Sequence, residues 1–264
     1  MSIEEKINYC KKNIQLKAKR LLRYNALDMF DAVEIETSTE CNRACSNCPN
    51  SLFKRKKGLM EIGLFKKIIN ELNEIGFCGR FSPHFYNEPL LDKRLPLLIN
   101  YARSKLPDAN ICIYTNGDLL NRKLFEELIG AGTNSFFVTQ YDKTLSSNLK
   151  ELVDSLNGKE RKKITIRFFD ENSEIVFNRG GLLKTKSNKF FSCSYPSTNL
   201  VVNWKGEVVL CCNDFFSRSI FGDLKKEKLM DVWKKEKFKH IRKETKKGIF
   251  NLDVCKKCSG AGAK

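Results

Sequence analysis

The chain has 264 residues, 41% of them hydrophobic, which is enough to bury a full core in one large domain or in one domain with an appendage. No run approaches the eighteen or more apolar residues a bilayer span needs, and the N-terminal MSIEEKINYCKKNIQLKAKR is charged and helix-like without a signal peptide's apolar centre, so a cytoplasmic protein with no membrane partner is expected. The formal charge of +17 invites a nucleic-acid reading, but 35 of the 48 basic residues are lysines spread along the whole chain and the aromatic residues form no base-stacking platform, so nucleic acid is not expected as a partner.

After a helical extension over residues 1–30, short β-like runs alternate with helical patterns. AVEIETS (32–38) reads as a strand, and Leu64, Phe65, Ile68, Ile69, Leu72 and Ile75 mark an amphipathic helix. RFSPHFY (80–86), NICIYT (110–115), SFFVTQ (135–140) and KITIRFF (163–169) are the next strands. Helices are expected between them around 93–105, 119–129 and 145–156. Connections this regular predict a parallel sheet, an open or partial (β/α) barrel over residues 31–181, with its active site at the C-terminal strand ends. From about Gly181 the pattern changes, and residues 182–264 read as a smaller module. It holds a β-hairpin over 199–212 turning at Lys205-Gly206, a helix over 225–246 and a Cys-rich tail. The Lys-rich stretch from Lys234 to Lys247 reads as the wet face of that helix, whose buried side carries Leu229, Val232, Trp233, Phe238 and Ile241.

Eleven cysteines in a reducing compartment point to metal ligands or catalytic groups where they cluster. Cys10, Cys78 and Cys112 stand alone and read as ordinary thiols. Cys41, Cys45 and Cys48 gather at C-x3-C-x2-C spacing just after the first strand. A structural zinc site wants four closed ligands, whereas three thiolates on one loop leave a position open, as on a 4Fe–4S cluster with one free iron. Only two histidines, His84 and His240, are present, so a Cys/His zinc finger is poorly supplied, and His84 is as readily a buried structural side chain as a site residue. Cys193, Cys211, Cys255 and Cys258 form a second set that by spacing alone fits zinc or an iron–sulfur cluster.

The first of these motifs, in this βα setting, resembles the radical S-adenosylmethionine (radical SAM) superfamily. The resemblance implies a 4Fe–4S cluster on Cys41, Cys45 and Cys48 whose open iron binds the amino and carboxylate groups of SAM. One-electron reduction, from a flavodoxin- or ferredoxin-type donor, then cleaves SAM to methionine and a 5′-deoxyadenosyl radical that abstracts a substrate hydrogen. FYNEPLL looks like the family's Gly-Gly-Glu-type motif and places Asn87, Glu88 and Pro89 near the SAM amino group. YTNGD and VTQ place Asn116, Thr139 and Gln140 where family members hold the rest of SAM, although turn chemistry also accounts for Asn116-Gly117. One departure is Asn47, where the family usually has an aromatic residue near adenine.

Beside such a barrel, the second cysteine set resembles the Twitch form of the SPASM domain, implying an auxiliary 4Fe–4S cluster. The stretches HFYNEPLL, IYTNGDLL, NRGGLL, CSYPSTNLVV and MDVWKKEKF further resemble radical SAM dehydrogenases that oxidise a secondary alcohol of an aminocyclitol to a ketone. That likeness implies a small polyhydroxylated substrate, Arg179 beside its hydroxyl, and an auxiliary cluster accepting one electron. Cys212, next to Cys211, is spare: a small buried residue on one reading, and on the other a hydrogen-atom donor in an epimerase or peptide-modifying enzyme.

Overall fold

The computed structural model describes residues 26–142, 144–170, 178–184 and 191–260, with scattered positions between 14 and 24. Those scattered positions are helical, whereas residues 26–30, which the expected helical extension also covered, form no helix; the other positions of that extension, Cys10 among them, lie outside the described residues. Among the described residues no helix is long and apolar enough to cross a membrane.

One open sheet organises the chain. Its strands are β1 (Ala32–Ile35), β2 (Arg80–Ser82), β3 (Asn110–Thr115), β4 (Ser135–Gln140), β5 (Ile164–Phe168), β6 (Asn199–Val202), β7 (Glu207–Val209) and β8 (Ile220–Asp223). Their order is β5-β4-β3-β2-β1-β6-β7-β8, so the sheet is not closed. The first six run parallel, and β7 and β8 return antiparallel.

Helices α1 (Ile62–Glu74), α2 (Leu95–Lys105), α3 (Arg122–Ala131) and α4 (Ser147–Ser155) link successive strands. Their apolar stripes, such as Leu64, Phe65, Ile68, Ile69 and Leu72 on α1, bury against the sheet as 3.6-residue periodicity requires. Asn121 caps α3 by accepting the N–H of Leu124, and Gly132 ends that helix in the left-handed conformation its lack of Cβ permits. A short turn, α5 (Gly158–Arg161), opens with an Asn157–Glu160 capping box before β5.

Two strands are shorter than their apolar runs suggest. β2 stops at Ser82 because Pro83 brings no N–H to a ladder, and the chain to Glu88 leaves the sheet. β1 stops at Ile35, after which the Glu36 N–H still meets the Val202 carbonyl at 2.9 Å and Ser38 bridges antiparallel to Leu59.

The hairpin continues the same sheet: β6 lies beside β1 in the register Ala32–Asn199 to Ile35–Val202, and both strands are buried throughout. Sequence periodicity missed β8 and ran one helix over 225–246. The chain instead forms α7 (Leu229–Lys234) and α8 (Glu236–Lys246), parted by an extended Lys235 whose ammonium reaches the carbonyl of Phe221 at 3.1 Å. The break lets Phe238 stack on Phe221 at 4.2 Å and meet Trp233 edge-on at 5.3 Å. The Cys-rich tail is helical, as α9 (Asp253–Ser259), and α6 (Tyr195–Thr198) leads into β6.

Candidate active site

Beyond β1 the chain makes a loop pinched at its neck. The Thr39 N–H donates to the Gly58 carbonyl at 3.0 Å, and the Gly58 N–H to the Thr39 hydroxyl at 2.9 Å. Inside it the Cys48 N–H meets the Cys45 carbonyl at 3.0 Å, turning the three half-buried thiols of Cys41, Cys45 and Cys48 toward one another. Burial pushes all three thiols up, Cys45 to about 12, and the neighbouring thiolate charges add to the rise for Cys41 and Cys45. Thiols that repel one another in this way are suited to a cationic centre, which would stabilise them as thiolates. Among the described residues, however, no three such side chains close tightly enough to hold a single metal ion. A cluster that spreads its ligands over several irons fits this all-sulfur set better than one zinc does.

The ends of β2 and β3 meet above this loop. Glu88 is buried and accepts the hydroxyl of Thr115 at 2.6 Å and the N–H groups of Asn116 at 2.8 Å and Leu90 at 3.1 Å. Burial nevertheless raises its carboxyl to about 7, ahead of those stabilising bonds. Asn87 receives the Phe85 N–H on Oδ1 at 2.9 Å, while its buried Nδ2 has no partner among the described residues, a donor left for a ligand oxygen. Pro89 opens the short turn after Glu88. Asn116 ties Asn42 and the Asp118 N–H together, and Arg43 of the cysteine loop pairs with Asp118 and Asp142. Gln140 is fully buried with both ends of its amide engaged, on the Asn116 carbonyl and the Ser146 N–H, so it braces the β3 loop. Thr139 accepts the Arg167 guanidinium at 2.9 Å. Asn47 buries an Oδ1 that has no partner among the described residues, and the aromatic pair near Cys45 is instead Tyr141 and Phe169, ring centres 5.5 Å apart, in a recess of about 250 Å³.

The second thiol set assembles from three separate segments. The Cys193 N–H is held by the Thr245 carbonyl at 2.8 Å, Cys211 follows β7, and Cys255 and Cys258 sit one turn apart on α9. Asn213 donates its backbone N–H to the Cys211 sulfur at 3.4 Å and its amide to the Cys258 sulfur at 3.2 Å. Burial and mutual repulsion push Cys255 to about 12 and Cys211 well up. Cys212 faces the other way, against a small cluster of Phe85, Tyr86, Val201, Val209 and Phe215, whereas Cys211 packs on the main core.

A cavity of about 640 Å³ is lined by Cys193, Cys211, Cys255 and Cys258 of the second set and reaches Asn47 of the first cysteine loop. Its polar floor centres on Glu34, which accepts Arg80 at 2.9 Å and the Tyr195 hydroxyl at 2.7 Å, while Arg80 also donates to Tyr114 at 2.9 Å. His84 stacks on Tyr114 at 4.7 Å, and burial lowers its imidazole so that it stays neutral. Arg179 enters this cavity from a backbone with φ of 50°, its guanidinium 6.0 Å from the Tyr86 ring and its charge felt by Cys48 and Cys212 alike. His240, by contrast, is exposed beside Glu244 at 3.1 Å, and Cys78 and Cys112 lie away from both thiol sets. Glu34, Arg80, Tyr114 and Tyr195 escaped the sequence reading; the available signal was a carboxylate inside the apolar run AVEIE.

Comparison with known proteins agrees with this geometry. The model of the radical SAM superfamily matches residues 35–178, and that of the SPASM iron–sulfur cluster-binding domain matches residues 193–259. Over 236 residues the chain is 36% identical to the S-adenosyl-L-methionine-dependent 2-deoxy-scyllo-inosamine dehydrogenase of Niallia circulans, spanning 88% of this chain and 93% of that protein. It is similar to the crystal structure of BtrN in complex with AdoMet and 2-DOIA, with a TM-score of 0.82 and 35% identity over 87% of this chain and 93% of that one. Against BtrN in an open conformation the TM-score is 0.70 at 31% identity, over 87% and 92% of the two chains.

Proposed function

We propose, from the premise that this chain belongs to the radical SAM superfamily and carries its SPASM-type cluster domain, that it oxidises a secondary alcohol of an aminocyclitol or related polyhydroxylated molecule to a ketone. In this reading residues 31–181 form the SAM-cleaving unit and residues 182–264 the auxiliary unit. Cys41, Cys45 and Cys48 hold one 4Fe–4S cluster, and Cys193, Cys211, Cys255 and Cys258 hold the other. Bound there, the first cluster and SAM supply a hydrogen-abstracting radical, and the second accepts an electron.

The observation that carries the proposal is the cavity of about 640 Å³, lined by the second thiol set and reaching Asn47, next to Cys48, on the first cysteine loop. Its size suits a small molecule, and its hydrogen-bonding floor of Glu34, Arg80, Tyr114 and Tyr195 suits several hydroxyls or an amine. Arg179, always cationic, orients the reacting hydroxyl and stabilises the charge its oxygen gains as the proton leaves. Oxidation removes one hydrogen atom from the carbinol carbon, one proton from the hydroxyl and one electron, which together make the two-electron change. The first electron comes from a flavodoxin- or ferredoxin-type carrier, in the cytoplasm.

Glu88 holds the SAM amino group and the Asn87 amide N–H a SAM oxygen beside it, with Asn116 and Thr139 along the same strand ends. Glu88 accepts an N–H best as a carboxylate, and its raised folded-state value of about 7 means that the SAM-free protein holds it protonated below that pH. SAM affinity is therefore expected to rise through pH 7 and level off above it, by up to about tenfold per unit on the acid side. Glu88→Gln should bind SAM weakly with that slope removed, as calorimetric titration between pH 6 and 8 would show.

The decisive test of the reaction uses 2-deoxy-scyllo-inosamine deuterated at the carbinol carbon, with dithionite and SAM under anaerobic conditions. One deuterated 5′-deoxyadenosine per ketone supports dehydrogenation. Epimerisation is the second reading, favoured by Cys212 facing the cavity with burial pushing its thiol to about 12, which keeps its hydrogen in place. Solvent deuterium at an inverted carbon, with no ketone, would replace the first reading by the second.

A further inference from the structure

The segment that follows Cys48 leaves an unusual surface uncovered. From Pro49 to Gly58 the chain reads PNSLFKRKKG, four basic residues and no acidic one. It doubles back on the cysteine loop, since the Ser51 N–H meets the Cys48 carbonyl at 3.0 Å and the Phe53 N–H meets the Pro49 carbonyl at 2.8 Å. Arg55 turns inward to the buried Glu36 at 2.7 Å and lies over the Phe215 ring at 4.7 Å. That anchor leaves the neighbouring side chains pointing out. Leu52 is 62% exposed and Phe53 37%, with Lys54, Lys56 and Lys57 exposed around them.

Phe53 meets Phe216 edge-on at 5.5 Å, and the guanidinium of the exposed Arg218 covers Phe216 at 5.0 Å. Phe216 lies five residues past Cys211, so the patch straddles the seam between the chain segments that carry the two thiol sets. Glu40, paired with Lys57 at 3.0 Å, is the acidic side chain that meets these lysines in an ion pair.

We propose that this patch, with Leu52, Phe53 and Phe216 at its centre and Lys54, Lys56, Lys57 and Arg218 at its rim, is the docking surface for a small acidic one-electron carrier protein. A partly apolar centre inside a single-sign rim suits a transient encounter, steered by charge and small enough to release quickly. A second copy of this chain, also at +17, would be repelled, and a bare polyanion would leave Leu52 and Phe53 unmatched. The proposal rests on the proposed function only for the need of one external electron per SAM cleaved, and not on the substrate. With a reduced flavodoxin as carrier, the anionic flavin hydroquinone becomes the neutral semiquinone, with no proton released, and the cluster of the Cys41 loop gains that electron.

The test compares two reductants on the reconstituted enzyme carrying Lys54→Glu, Lys56→Glu and Lys57→Glu together. With a purified acidic flavodoxin at low salt, SAM cleavage should fall at least tenfold, while dithionite, which needs no docking, should drive it at the wild-type rate and so report an intact fold. Raising salt should slow the flavodoxin-driven wild type and leave the variant flat. A control triple, Lys234→Glu at the end of α7 with Lys237→Glu and Lys243→Glu on the exposed face of α8, changes the net charge equally and should leave the flavodoxin rate near wild type. Equal losses in the two triples, equal losses with both reductants, or an unchanged flavodoxin rate alongside lost binding of transfer RNA would each overturn the proposal. Failure here with dithionite activity intact would leave the proposed reaction standing.

Discussion

Replacing Cys41, Cys45 and Cys48 together by alanine is expected to abolish SAM cleavage and to lower the iron content from about eight to about four atoms per chain. The three thiols lie on one loop pinned at its neck by Thr39 and Gly58, so their removal leaves the sheet and the second thiol set in place. The complementary variant, with Cys193, Cys211, Cys255 and Cys258 replaced, should also lose about four irons but keep SAM cleavage while ketone formation stops. Anaerobic iron and sulfide analysis, read beside 5′-deoxyadenosine release, separates the two. Cleavage that survives loss of the first three cysteines would sink the site assignment.

The next largest effect is expected at Arg179. Arg179→Ala should cut ketone formation by about 10²–10³ while SAM cleavage continues, uncoupled from product. Lysine should not restore the rate, since a point charge cannot reproduce a planar two-pronged donor. Backbone strain complicates a simple reading, because Arg179 holds a φ of 50° that a side chain tolerates poorly. Arg179→Gly resolves this: it relieves the strain, so the protein should be no less stable than wild type by thermal melting, yet equally inactive. Uncoupling that appears in Ala but not in Gly would assign the effect to the backbone and not to the guanidinium.

Much of the sheet was legible because period-two alternation fixes a strand locally, and β3 and β4 begin and end where NICIYT and SFFVTQ do. What failed was decided by contacts between neighbouring elements. β8 is four residues long, and its Gly222 lies so close to Val232 that a Cβ would overlap that side chain, a contact that neither period-two nor 3.6-residue patterning encodes. The break at Lys235 likewise depends on Phe221, fourteen residues back. At the site, the cysteine spacings stood out, since loop ligands cluster in sequence. The cavity floor did not: Glu34, Arg80, Tyr114 and Tyr195 come from four segments, and each looks by itself like an ordinary strand or turn residue. Gln140 shows the converse, a polar strand end that suggests a ligand contact while its amide is held within the protein.

The position of β1 between β2 and β6 also bears on how the chain is made. One edge of β1 can pair once Ser82 has been synthesised, but the other waits for Asn199, which emerges about 10–30 s after Ile35 at ordinary translation speeds. For that interval the edge of a strand that is buried throughout in the finished fold stands open to whatever meets it, the situation in which nascent chains associate wrongly. A chain cut after residue 181 keeps that edge of β1 unpaired for good, and is expected to aggregate instead of forming a smaller enzyme, as light scattering of the purified fragment would show.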